Sequence, residues 1–230
     1  MSCAPRWHAV SDATGLELAA MERIVAGAAA AIHQRGQFLC VLAGGNTPRG
    51  LYQRLRHAPL EWAAWRIYFG DERCLPTTDP ARNSRMAGAV WLDHVSIPAP
   101  RVHVIPAELG AIEGARSYAE TLQGVGEFDL VLLGLGEDGH TASLFRGHDW
   151  GTAPESSDAL AILDAPKPPP QRVSLSAARL SRARQVLFLV DGDSKRQAIA
   201  DWRAGKNIPA AAIMPAQGVD VLVEKELLAP

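Results

Sequence analysis

The sequence predicts an α/β fold: one domain over residues 1–230, with a mainly parallel, twisted sheet and helices on both of its faces. Three observations predict it. Short, unbroken apolar runs of strand length recur along the chain, as in strands buried on both faces. Stretches with helical periodicity separate them. The segments that close the runs are rich in glycine and polar residues, as ligand-binding loops at the carboxyl edge of such sheets are.

The first element is a helix over Thr14 to Gln34, where Leu16, Ala20, Ile24, Ala28 and Ile32 recur every four residues beside Met21 and Val25, with Asp12 or Thr14 as its cap. Phe38-Leu39-Cys40-Val41-Leu42 follows as a strand that ends at Gly44-Gly45. Comparable runs lie at Ile67-Tyr68-Phe69, Leu130-Val131-Leu132-Leu133, Val186-Leu187-Phe188-Leu189-Val190 and Val219 to Val223. Pro48 to Arg56, Asn83 to Leu92, Ile112 to Leu122 and Ser194 to Arg203 read as helices between them. Such alternation calls for right-handed crossovers and a modified Rossmann-like arrangement. Ala165-Pro166-Lys167-Pro168-Pro169-Pro170 is a stiff loop, too short to separate a pair of domains.

Lys+Arg 23 against Asp+Glu 25 leaves a formal charge of −2, which argues against long nucleic acid as a partner. With 47% hydrophobic and 21% charged residues, the composition is that of an ordinary folded domain. No apolar run reaches bilayer-spanning length, and Met1 to Val10 lacks the layout of a signal peptide, so a cytoplasmic protein without membrane contact is expected. Cys3, Cys40 and Cys74 are an odd number without short spacing and read as reduced thiols. The oligomeric state stays open.

Four segments after apolar runs hold the candidate chemistry. Gly44-Gly45-Asn46-Thr47-Pro48 lies between a strand and a helix, where exposed N–H groups and the helix dipole favour an anion; the alternative is a plain tight turn. Gly134-Leu135-Gly136-Glu137-Asp138-Gly139 matches the dinucleotide pattern G-x-G-x-x-G, but too little chain follows for the crossover helix that pattern needs. Asp138-Gly139-His140 instead sets an imidazole at a strand end with a carboxylate two residues away, a natural general base near neutral pH. Asp71-Glu72-Arg73 places two acids and a guanidinium in a loop, to accept from hydroxyls and to hold an oxyanion, unless they form a solvated ion pair. Arg172, opening the strand Arg172-Val173-Ser174-Leu175, and Lys195 are further candidate anion ligands. Cys74 as a nucleophile and Asp138, His140 and His148 as a metal set are weaker readings, and neither metal nor cofactor is expected.

In this order the segments resemble the 6-phosphogluconolactonase family. The resemblance is carried by Leu42 to Pro48, by Phe69-Gly70-Asp71-Glu72-Arg73-Cys74-Leu75-Pro76 with Asn83 downstream, by Gly134 to Phe145, and by Arg172-Val173-Ser174 with Gly192 to Lys195. The related glucosamine-6-phosphate deaminases carry tyrosine after Asp-Glu, where this chain has Arg73. They also carry an acid five residues beyond the motif histidine, where it has Phe145. Three positions depart from the family: Asn46 and Arg82 stand in place of serine, and Arg146 in place of proline, the two arginines adding positive charge near an anion site.

The resemblance implies hydrolysis of 6-phospho-D-glucono-1,5-lactone to 6-phosphogluconate in the oxidative pentose phosphate pathway. It implies His140 as the base that activates water, Arg73 as oxyanion donor, and Asp71 and Asp138 to bind hydroxyls or hold His140. Gly44, Gly45, Asn46, Thr47, Arg172 and Lys195 would receive the phosphate. The competing readings are a glucosamine-6-phosphate deaminase or isomerase and a non-catalytic sugar-phosphate binder.

Overall fold

The computed structural model describes residues 4–229, so Cys3 lies outside the described residues. In chain order the elements are β1 (Arg6–Val10), α1 (Ala13–Arg35), β2 (Phe38–Leu42), α2 (Asn46–Leu55), β3 (Trp65–Phe69), β4 (Asp71–Arg73), α3 (Asn83–Val90), α4 (Ala111–Thr121), β5 (Phe128–Gly134), β6 (Ala159–Ile162), β7 (Arg172–Leu175), α5 (Ala177–Ser181), β8 (Ala183–Val190), α6 (Arg196–Arg203) and β9 (Val219–Glu224). Asp12 caps α1 by accepting from the Gly15 amide at 2.8 Å, and Gly36, at φ 71°, ends it in the left-handed conformation open to glycine.

Six strands form one sheet in the order β1-β9-β8-β5-β2-β3, and every neighbouring pair is parallel. Helices cover both faces. Gly27 of α1 faces Phe38 and Gln185, whereas Trp202 of α6 packs on Phe188, which points from β8 to the side opposite Gln185. From β2 the chain runs outward to β3 and then returns to β5 on the other flank of β2. The crevice beyond the carboxyl ends of β2 and β5 is therefore the topological switch point, where open α/β sheets take ligands.

Three features differ from the sequence reading. Arg6–Val10 is an edge strand whose Arg6 and His8 bind Asp220 of β9; it has no buried residue, and these two polar side chains break up the apolar run that marks the inner strands. Asp71–Arg73 is not a loop but strand β4, paired antiparallel with β7 in a second sheet ordered β4-β7-β6. Asn46 and Thr47 belong to the first turn of α2, whose N-cap Gly45 sits at φ 104° without a side-chain cap bond.

Candidate active site

A cavity of about 460 Å³ opens at the switch point, lined by residues that follow β2, β5 and β8 and by residues of β4 and β7. Two tyrosines fix the strand ends that frame it. The Tyr52 hydroxyl donates to the Ala43 carbonyl at 2.9 Å and accepts from the Ala43 amide at 3.1 Å, after β2. The Tyr118 hydroxyl does the same for Phe69 at the end of β3, at 3.2 and 3.0 Å. Both rings are fully buried, so these bonds are shielded from water.

His140 lines the cavity, and its ring is held from behind. Nδ1 shares a short hydrogen bond with the Asp138 carboxylate. Burial acts to raise the Asp138 pKa, but the hydrogen bond and charge of His140 outweigh it and hold the carboxyl below its ordinary value. With Asp138 ionised, Nδ1 is the donor in that bond. The turn is closed by Gly136, whose amide donates to the His140 carbonyl at 2.7 Å. A Cβ on Gly136 would lie 1.9 Å from His140 Nδ1, so only glycine lets the ring seat there. No helix follows this segment, and of its three glycines Gly136 packs the imidazole, Gly139 faces Ile208, and a Cβ on Gly134 would meet nothing within 4 Å. Asp138 itself does not line the cavity.

The second sheet presents Asp71, Arg73 and Arg172 to the same space. Asp71 is buried; Oδ1 accepts from Asn83 Nδ2 at 2.9 Å and Oδ2 from the Ser143 hydroxyl at 2.5 Å, so it does not reach His140. Glu72 points the other way. It is fully buried and accepts from the Arg73, Asn83 and Ser84 amides at 2.9, 2.7 and 2.8 Å, which makes it a joint rather than a ligand. Arg73 donates through Nη1 to the Ala81 carbonyl, and its buried Nε has no hydrogen-bond partner among the described residues. Arg172 stands opposite Arg73 in the strand register. Burial draws the Arg172 pKa below its ordinary value, with Asp71 opposing and Arg73 reinforcing the shift, and the guanidinium stays charged.

Gly44, Gly45, Asn46, Thr47 and Lys195 form the remaining wall together with Asp191, which sequence reasoning misses. The Thr47 hydroxyl donates to Asp191. Gly44 lies so close to the Asn83 amide that a Cβ there would meet Oδ1 at 1.9 Å. Lys167, inside the proline-rich loop, is missed as well; a lysine among prolines carries no signal of the cavity it faces.

Two expectations about charge are corrected. Arg82 does not add charge to the cavity: it is buried, paired with Glu108 at 2.8 Å and Glu72 at 3.5 Å. Arg146 also lies outside it, donating to the Asp138 carbonyl at 2.5 Å and to Asp201 at 2.7 Å, and so braces the histidine turn. Burial pushes the Cys74 thiol up in pKa, and the residue does not line the cavity, which removes it as a nucleophile for His140. His148 turns to Asp164 at 2.9 Å, and among the described residues no three His, Cys, Asp or Glu side chains gather as a metal site.

A family model described as glucosamine-6-phosphate isomerases/6-phosphogluconolactonase matches residues 11–223. Over 235 residues the chain is 34% identical to a 6-phosphogluconolactonase of Mycobacterium tuberculosis, covering 95% of each. It is 38% identical over 198 residues to one of Synechocystis sp., covering 80% of this chain and 81% of the relative. Its fold matches that of 6-phosphogluconolactonase from Trypanosoma brucei with a TM-score of 0.88 at 28% identity, covering 98% of each chain.

Proposed function

The chain belongs to the glucosamine-6-phosphate isomerase/6-phosphogluconolactonase family, and from that membership we propose its reaction and the role each cavity residue takes in it. It is a lactone hydrolase that converts 6-phospho-D-glucono-1,5-lactone to 6-phosphogluconate in the pentose phosphate pathway.

The carrying observation is that His140, held from behind by Asp138, shares one cavity with Arg73, Arg172 and Lys195. His140 Nε2 takes a proton from water as the oxygen adds to the lactone carbonyl. Charge gathers on the carbonyl oxygen, where Arg73, which lines the cavity, is the donor; one such donor contributes about 3 kcal/mol. As the ester bond breaks, the imidazolium returns its proton to the departing ring oxygen, and the new carboxyl group loses its own proton to solvent. Asp71, fixed by Asn83 and Ser143, accepts from a sugar hydroxyl.

The phosphate rests on the open first turn of α2 at Gly45, Asn46 and Thr47, with Gly44 in the approach, and on Lys195 and Arg172. Anchoring it fixes the ring, so attack by the bound water becomes effectively intramolecular. An aldose–ketose shift would need a second acid to move protons between carbons. Phe145, whose ring lies 4.9 Å from the His140 ring, offers none. Free Cys40 and Cys74 suit the reducing cytoplasm as its compartment.

The test is acid release from freshly generated phosphogluconolactone above the spontaneous background. The reading requires acceleration by the wild-type chain and no ammonia release from glucosamine-6-phosphate. Saturable binding of 6-phosphogluconate without acceleration would leave only a sensor.

A further inference from the structure

We propose that Lys167 is a further phosphate ligand of the cavity, kept in place by Glu137 until a substrate displaces that carboxylate. The inference rests on the cavity being a phosphorylated-lactone site, and it adds a ligand that the family's motifs in this sequence do not assign.

Lys167 projects from a fixed base. Arg172 donates from Nη2 to the Lys167 carbonyl at 2.9 Å and to the Pro168 carbonyl at 3.3 Å, and from Nε to the Pro169 carbonyl at 3.1 Å. One guanidinium thus holds three successive carbonyls, and the Ala165 amide closes the loop on the Pro170 carbonyl at 2.9 Å. Arg172 is largely spent on this, leaving Nη1, at 3.5 Å from the Ser143 hydroxyl, to face the cavity. Lys167 lines the cavity, and its Nζ meets Glu137 Oε1 at 2.5 Å. Glu137 belongs to the turn that presents His140, so the pair bridges two loops at the mouth. Its carboxyl is held below the ordinary value by the hydrogen bond and charge of Lys167, with Lys195 adding to the effect, and Lys167 and Lys195 line the same cavity.

Charge balance in the cavity calls for the extra cation. A phosphate dianion beside the Asp191 carboxylate brings three negative charges against Lys195 and Arg172. Lys167 supplies the third positive charge. Its partner is easily given up, because Lys167 and Glu137 keep 45% and 53% of their side chains exposed. An ammonium on a flexible stem exchanges a carboxylate for a phosphate without moving the backbone.

This arrangement makes the two partners act in opposite directions, which a mere clasp between loops does not. Titration calorimetry with 6-phosphogluconate, and with inorganic phosphate as a second probe, is the experiment. K167A is expected to weaken binding about tenfold, the size of one charge-assisted hydrogen bond. K167R keeps most of the affinity, and E137Q tightens it about threefold by removing the competitor. Unchanged affinity in K167A overturns the proposal, and so does E137Q weakening binding as K167A does. Lactone turnover by the wild-type chain, measured alongside, tests the reaction separately: binding that responds to K167A without turnover removes the reaction and leaves the ligand.

Discussion

An imidazole serves as a base at Nε2 only while Nδ1 is kept as the donor, and here a five-residue turn does the keeping. Asp138 holds the ring, Gly136 makes room for it, and Arg146 braces the Asp138 carbonyl. Replacing His140 with alanine is expected to cut kcat by about 10²–10⁴, with KM nearly unchanged, because the loss falls on proton transfer and not on phosphate binding. G136A is the more discriminating variant. Its methyl group meets the imidazole at 1.9 Å and must displace it, so kcat falls while Asp138 and His140 both remain. Turnover of phosphogluconolactone, with circular dichroism to confirm folding, measures both. A folded H140A protein with wild-type kcat removes the base assignment.

At the scale of elements, single carboxylates join what the backbone leaves apart. Glu72 ties β4 to the start of α3 through the Asn83 and Ser84 amides while also accepting from its neighbour Arg73, and Gln at that position would turn an NH₂ group toward donors. E72Q is expected to cost about 3 kcal/mol, or roughly 6–12 °C in Tm. A wild-type melting curve would show the joint to be dispensable. Asp220 ties edge strand β1 to β9. Burial acts to raise its pKa, yet hydrogen bonds from Arg6 and His8 bring it to about 2. A carboxyl depressed in the folded state stabilises fully above its unfolded pKa of about 3.9 and loses that contribution as pH falls toward 2. Wild-type Tm should therefore drop across pH 4 to 2. D220N should be flatter there and about 1–2 kcal/mol less stable at neutral pH, after allowance for the exposed side of Arg6. The same elements mark what the sequence makes legible. Inner strands announce themselves, since Phe38–Leu42 and Val186–Val190 are buried on both faces and must be apolar throughout. Arg6–Val10 has its apolar residues interrupted by His8, and Asp71–Arg73 is three charged residues; pairing partners far along the chain make them strands. His140 and Gly44 to Thr47 are legible because loops after strands lie at the ligand edge. Asp191 falls under the same rule as the residue that follows β8, whereas Lys167 does not, because only the folded chain brings the proline-rich loop to that edge.

For the molecule as a whole, the two sheets bring together cations that lie far apart in the chain. Arg73 and Arg172 come from β4 and β7, Lys167 from the proline-rich loop, and Lys195 from the turn before α6. They face Asp71 and Asp191, so the cavity holds four positive side chains against two carboxylates within a chain of net charge −2. A concave site with walls of low dielectric concentrates such a field, and salt weakens it. The Debye length shrinks from about 30 Å at 0.01 M to about 10 Å at 0.1 M, so the attraction on a dianionic substrate outside the cavity fades over that range. The KM for phosphogluconolactone should therefore rise with ionic strength, while the KM for uncharged gluconolactone stays level. The kcat values for both should hold, because the proton passes between His140 and water at close contact. Steady-state rates for the two lactones at matched pH across a salt series measure this. Parallel salt dependence of the two KM values would mean that the cations serve the fold and not the phosphate, and the site would have to be drawn without Arg172 and Lys195 as ligands.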